Sequence, residues 1–227
     1  MAASMTLDYH DLPALLTELM GDEKHDWSAL STLDVLWVLY DRVLRIDPRE
    51  PDDPERDRFL LSKGHGPAAY YAVLAAKGFV DAGSLAGFGD FDSPLGYHPD
   101  RMLVPGVEIS SGSLGHGLPI AVGTTLGLEA RGRERARVFC LVGDAELDEG
   151  SNWEAVQLAG RLGLGRLTAV VVDNRSSTYH WPGGISARFE LEGWIAAPVD
   201  GRDHDALELA LGTDGERPHV VVAEVAR

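Results

Sequence analysis

The stretch from Val138 to Gly150 constrains this chain more than any other. The apolar, β-branched run Val138-Phe139-Cys140-Leu141-Val142 stops at Gly143-Asp144. An acidic loop, Ala145-Glu146-Leu147-Asp148-Glu149-Gly150, follows, and a helical pattern opens at Ser151-Asn152-Trp153-Glu154. Strand, loop and helix in that order put a carboxylate at a strand's carboxyl end. A second apolar run, Leu167 to Val172, ends in Asp173-Asn174. In open parallel sheets, ligands bind outside the carboxyl ends of the strands. Two such ends, one carrying Asp144 and the other Asn174, can hold one hard cation between them. Mg²⁺ takes a few protein oxygens plus phosphate oxygens in octahedral geometry. These residues therefore suit a Mg²⁺-bridged diphosphate.

At 227 residues the natural expectation is one α/β domain spanning residues 1–227, with ample chain for a large core. The net charge is −16, from 20 basic and 36 acidic side chains. That disfavours nucleic acid and anionic membranes as partners. It also means that an anionic ligand needs a cation or local donors to be held here. No segment is long and apolar enough to cross a membrane. The N-terminus lacks the basic-then-apolar layout of a signal peptide. The single cysteine, Cys140, sits inside a strand pattern and reads as a buried core thiol, so we expect no disulfide and a cytoplasmic location.

Leu12, Leu15, Leu16 and Leu19 recur at helical spacing, and residues 28–45 do so more clearly. His25 falls in the loop between the two patterns. Residues 47–58 are rich in proline and charge and read as a solvated loop. Phe59 to Ser62 is a short strand, and Lys63-Gly64-His65-Gly66-Pro67 leads into a helix running to about Ala76. That turn brings an imidazole and backbone N–H groups to one point, and a helix N-terminus favours anions. From the residues alone it reads equally well as a turn with an incidental histidine. Asp81 can cap a short helix. Residues 88–102 form a loop containing Gly96-Tyr97-His98-Pro99. Gly106 to Gly117 is rich in glycine and serine and runs into a helix ending near Arg131. Small residues allow backbone to approach a flat ring, though they suit plain helix packing too. His204 to Leu211 reads as a helix and His219 to Val225 as a buried strand.

Gly143-Asp144, about thirty residues and then Asn174 is similar to the thiamine diphosphate signature. The longer string Gly143 to Ala155 resembles the N-terminal half of transketolases, especially those made as two chains. The resemblance covers nearly all of this chain, although such halves usually run further. It implies a doubly wound, mostly parallel sheet with helices on both faces. The implied cofactors are thiamine diphosphate and Mg²⁺, or Ca²⁺ or Mn²⁺ in its place. It implies metal ligation by Asp144, Asn174 and the backbone carbonyl of Ser176. His65, Gly143, Asp144, Ala145 and Asn174 would bind the cofactor, with carbonyls near Gly112 and Leu114 facing its aminopyrimidine. His25, His65 and His98 correspond to active-site histidines, and His116 stands where a glutamine is usual. Glu149 and Glu154 correspond to a pair of acids at a dimer interface, linked to a proton path between sites.

The sequence also departs from the family pattern. Lys24-His25-Asp26-Trp27-Ser28-Ala29-Leu30-Ser31 replaces Gly-His-Pro-Gly-Gly-Ser-Leu-Ser, and Ala145 replaces a glycine. Asn174 to Gly184, with its Tyr179-His180-Trp181 insert, replaces Asn-Gly-x-x-Ile-Asp-Gly. We expect the pyrimidine-binding domain and its activating glutamate, which longer relatives carry after this part, to lie outside this chain. We therefore expect a partner subunit to supply them, in an α₂β₂ assembly that moves a two-carbon ketol unit from a ketose phosphate to an acceptor. One alternative is an E1-type subunit passing that unit to a lipoyl or acyl-carrier thiol. Another is a non-catalytic cofactor-binding subunit.

Overall fold

The computed structural model describes residues 7–20, 26–178 and 181–225. His25, Tyr179 and His180 lie outside them. A five-stranded sheet has the order β1-β2-β3-β5-β4, with every neighbouring pair parallel. The strands are β1 (Arg58–Leu61), β2 (Val138–Gly143), β3 (Leu167–Asp173), β4 (Ile195–Asp200) and β5 (His219–Glu224). All carboxyl ends therefore share one edge of the sheet.

The central strands are apolar along their whole length because both of their faces are covered. Phe139 and Leu141 of β2 face one core together with Val170, Val172 and Val221. Val138, Cys140 and Val142 face the other with Ala169, Val171 and Val220. The first core is capped by α1 (Leu12–Met20), α2 (Asp26–Val38), α3 (Pro67–Ala76) and α7 (His204–Leu211). The second is capped by α4 (Gly117–Ala130), α5 (Gly150–Leu162) and α6 (Gly184–Leu191). The chain is thus the doubly wound α/β fold that the sequence implied. Cys140 is fully buried, which pushes its thiol well above its usual range. Among the described residues no helix is long and apolar enough to cross a membrane.

Three elements differ from the sequence reading. The apolar pattern of residues 28–45 does not form one α-helix: α2 ends at Val38 and Leu39–Val43 is a π-helical turn, closed by Leu44 N–H donating to the Leu39 carbonyl at 2.8 Å. The wider turn keeps Leu39, Tyr40 and Val43 all buried and brings the Tyr40 and Tyr70 hydroxyls to 3.0 Å. Strand β4 was not anticipated. It is a half-exposed edge strand containing Pro198, a residue tolerated only where no neighbour needs its N–H. Helix α6 was not anticipated either, since it starts at two glycines with positive φ and no capping side chain.

At the amino ends of β1 and β2, the fully buried Asp57 binds two arginines. Its carboxylate accepts from Arg45 Nη2 at 2.8 Å, Arg137 Nη2 at 2.7 Å and the backbone N–H of each at 2.9 Å. Burial opposes ionisation, but the hydrogen bonds from Arg45 and Arg137 outweigh it and hold this carboxyl below its usual range. Removing one partner of a buried pair costs about 3–5 kcal/mol. Arg45 is partly solvated, so D57A should cost toward the low end, about 3 kcal/mol at pH 7. A folded-state pKa below the unfolded value of about 4 gives stability that is complete above pH 4 and is lost as pH falls through the folded value. Urea unfolding of wild type and D57A should therefore differ fully at pH 7, and the gap should narrow below about pH 4.

Candidate functional site

Asp144 stands at the tip of β2 and is only 2% exposed. Gly143 pairs with Val172, and the Asp144 N–H donates to the Val172 carbonyl at 3.1 Å. Asp144 therefore lies beside Asp173, one step from Asn174. Its Oδ2 accepts the N–H groups of Ser176 at 2.6 Å and Ser177 at 2.8 Å, and its Oδ1 accepts the Ser176 hydroxyl at 2.6 Å. Asp148 adds the Ser177 hydroxyl at 2.9 Å and the Thr178 N–H at 3.1 Å. The loop after β3 is thereby wrapped onto the acidic loop after β2, with Arg175 in the left-handed region at φ 60°. The Asn174 side-chain oxygen is buried with no hydrogen-bond partner among the described residues. Leaving such an acceptor unmet costs about 1–3 kcal/mol, and a cation would satisfy it. Ser176 turns its N–H and hydroxyl toward Asp144. Among the described residues no three His, Cys, Asp or Glu side chains gather as a metal cluster. The set implied by sequence has a single carboxylate, completed by an amide and a backbone carbonyl.

The β1 tip supplies the next group. Gly66 is left-handed at φ 108° and caps α3, with Pro67 opening the helix. His65 is exposed in this turn. Lys63 was not singled out from the sequence, yet it is 7% exposed, with its ammonium 2.7 Å from Thr32 Oγ1 and 3.1 Å from Ser31 Oγ. Its stem packs on Gly143. Burial lowers its pKa to about 8, against the pull of Asp144 and Glu146.

Gly112, at φ 119°, closes the site from a third side. A Cβ there would lie 2.8 Å from His98 Cγ, and a Cβ on Gly64 would lie 3.2 Å from the Gly112 carbonyl oxygen. His98, Gly112 and Gly64 thus meet at a point that only glycine backbone allows. Leu114 touches the same place and is 37% exposed. His116 Nδ1 lies 3.0 Å from the Leu114 carbonyl, so this histidine closes its own turn.

The remaining candidates sit apart. Glu149 is exposed and its stem lies against Gly115, while Glu154 is exposed on α5. Ala145 begins the short 3₁₀ turn Ala145–Asp148. Trp181 of the insert packs edge-on against Trp153 at 5.1 Å, and the Arg188 guanidinium lies over both rings, 4.7 Å from Trp153 and 5.0 Å from Trp181. This cluster pins the end of the 174–184 loop to α5 and α6.

Sequence comparison matches residues 20–222 to the thiamine diphosphate binding domain of transketolase. A Rhodococcoides fascians protein named ferredoxin fas2 is 54% identical over 96% of this chain and 72% of its own length. One of the separately named subunits of the apulose-4-phosphate transketolase of Actinobacillus succinogenes is 36% identical over 89% of this chain and 76% of its own. The transketolase of Pichia stipitis, solved with sedoheptulose 7-phosphate, superimposes with a TM-score of 0.77 at 25% identity, covering 96% of this chain but 36% of that one. This chain therefore spans about a third of a full-length transketolase. By this match and this fold, the chain belongs to the transketolase family and corresponds to its thiamine diphosphate binding domain.

Proposed function

We propose that this chain is the diphosphate- and Mg²⁺-binding subunit of a two-component, cytoplasmic transketolase, active only with a subunit that carries the pyrimidine-binding domain. The observation that carries this reading is the buried Asn174 side-chain oxygen, which meets no donor among the described residues, at the strand tip next to the one that carries the buried Asp144. The relatives from Actinobacillus succinogenes and Phocaeicola vulgatus, each named as one subunit of a transketolase, support the division into two chains. Asp144, Asn174 and the Ser176 carbonyl would hold the metal. His65, Gly143, Ala145 and the loop at Gly112 and Leu114 would receive the cofactor. Thiamine diphosphate, when bound, supplies the carbanion chemistry that breaks and makes the C–C bond of a sugar phosphate. His65 and His98, exposed at the mouth, together with His25, are suited to move protons to and from substrate oxygens near neutral pH. Glu149 and Glu154 would face a neighbouring subunit in an α₂β₂ assembly.

A second reading is favoured by the relative named a ferredoxin. In it the two-carbon unit is oxidised, or passed to a carrier, rather than added to an aldehyde. This chain's single cysteine is buried in β2. Iron–sulfur clusters need several thiolates, so the electron acceptor would be a separate protein or segment.

Mixing this chain with its pyrimidine-domain partner, thiamine diphosphate and Mg²⁺ should give ketol transfer between sugar phosphates, and either chain alone should give none. Reduction of a one-electron dye without ketol transfer would support the second reading instead. D144N should weaken metal-dependent cofactor binding by at least about 100-fold, the upper end of what losses in the outer shell of a metal site cost. Chelation with EDTA should release the cofactor from wild type, and added Mg²⁺ should restore it. Full activity of the isolated chain, or of D144N in the complex, would overturn the proposal.

A further inference from the structure

Glu146 is 1% exposed, although it lies in an acidic loop that looks solvated in sequence. Its Oε1 accepts the Ser62 hydroxyl at the β1 tip and the Gly115 N–H at 3.0 Å, and its Oε2 accepts the Gly143 N–H at 3.3 Å. The Ser62 hydroxyl oxygen in turn accepts the Gly117 N–H at 3.0 Å. The Glu146 main chain is fixed as well, its carbonyl accepting from Asn152 Nδ2 at 2.7 Å. The segments come this close because their contact points are glycines. A Cβ on Gly117 would lie 2.2 Å from Ser62 Cβ, and one on Gly115 would lie 2.6 Å from Ser151 Oγ.

We propose that Glu146 is a positioning residue of the cofactor site: one buried carboxylate ties together the three chain segments that receive thiamine diphosphate. This rests on the reading that thiamine diphosphate binds here. Each anchored group stands beside a group assigned to the cofactor. Ser62 lies three residues before His65, Gly115 follows Leu114, and Gly143 precedes Asp144. The three segments come from distant parts of the chain, and the β1 tip and the Gly112–Gly117 loop have no ladder between them. Glu146 and the Ser62 hydroxyl it orients bridge them by hydrogen bonds. An ionised carboxylate only accepts, and three donors converge on this one. A glutamine in its place has one accepting oxygen, so its amide N–H₂ would oppose one of those donors. Binding groups displaced by a fraction of an ångström lose the preorganisation that makes them effective.

The test uses the full chain with its partner subunit, thiamine diphosphate and Mg²⁺, well below the melting temperature of each variant. Calorimetry should find E146Q at least tenfold weaker in cofactor affinity than wild type, and S62A three- to tenfold weaker. The double variant should be no worse than E146Q alone, because the two side chains act as one unit. If E146Q does not fold, S62A carries the test. A purely structural role predicts lower melting temperatures, affinities within twofold of wild type and additive effects. That result would overturn this inference alone. No thiamine diphosphate binding by the wild-type complex would overturn the functional reading and this inference with it.

Discussion

One carboxylate, that of Asp144, organises the open edge of the sheet. Two backbone N–H groups and one hydroxyl from the loop after β3 converge on it. Hydrogen bonds to a charged acceptor are short and roughly twice as strong as neutral ones, and they offset the cost of burying the charge. Their arrangement is uneven. Oδ2 takes both N–H groups and Oδ1 takes only the Ser176 hydroxyl. A carboxylate has about four lone-pair sites, so the acceptor capacity left over is on Oδ1. The Asn174 oxygen, at the neighbouring strand tip, meets no donor among the described residues. The loop after β3 is thus shaped around the Asp144 anion.

An anionic ligand meets an unfavourable charge balance in this chain. Asp144, Glu146, Asp148 and Glu149 crowd one loop of a protein with net charge −16. The basic side chain buried among them is Lys63, whose ammonium is stabilised by Asp144 and Glu146 but discharged more easily than usual because it is buried. One such lysine cannot neutralise a diphosphate against that field. The turn before α3 adds backbone N–H groups and a helix N-terminus. In the proposed reading, a metal held at Asp144 and Asn174 would supply the rest.

How much of this was legible in the sequence follows from how far each feature depends on distant chain. Strands β2 and β3 were plain because burial on both faces demands unbroken apolar runs. Asp144 and Asn174 were plain because each ends such a run. Strand β4 was hidden because an edge strand tolerates both Pro198 and partial exposure. The π-helical turn was hidden because its wider spacing still lands Leu39, Tyr40 and Val43 in the core. Glu146 looked like any acid in an acidic loop. It becomes a buried anchor only because Ser62, 84 residues away, and Gly115, 31 away, close over it. Lys63 is buried by the same closure, against Ser31 and Thr32. No local pattern encodes such approaches, although the glycines at 112, 115 and 117 are their trace.

The site is divided by exposure. The Asp144 side chain and the Asn174 side-chain oxygen are buried, while His65 and His98 are exposed and Leu114 is partly so. Proton transfer and charge stabilisation gain most in a site closed to water, where the effective dielectric is low. This chain buries its strand tips and leaves these histidines exposed. The segment flanking His98 carries apolar surface that folding has not hidden: Phe91 is fully exposed and Met102 is 82% exposed. The Tyr71–Phe88–Tyr97 ring contacts and the Tyr71 hydroxyl bond to the Gly96 carbonyl hold that segment in place. A dry reaction centre would need a second surface over these histidines, which is what the proposed partner subunit would supply.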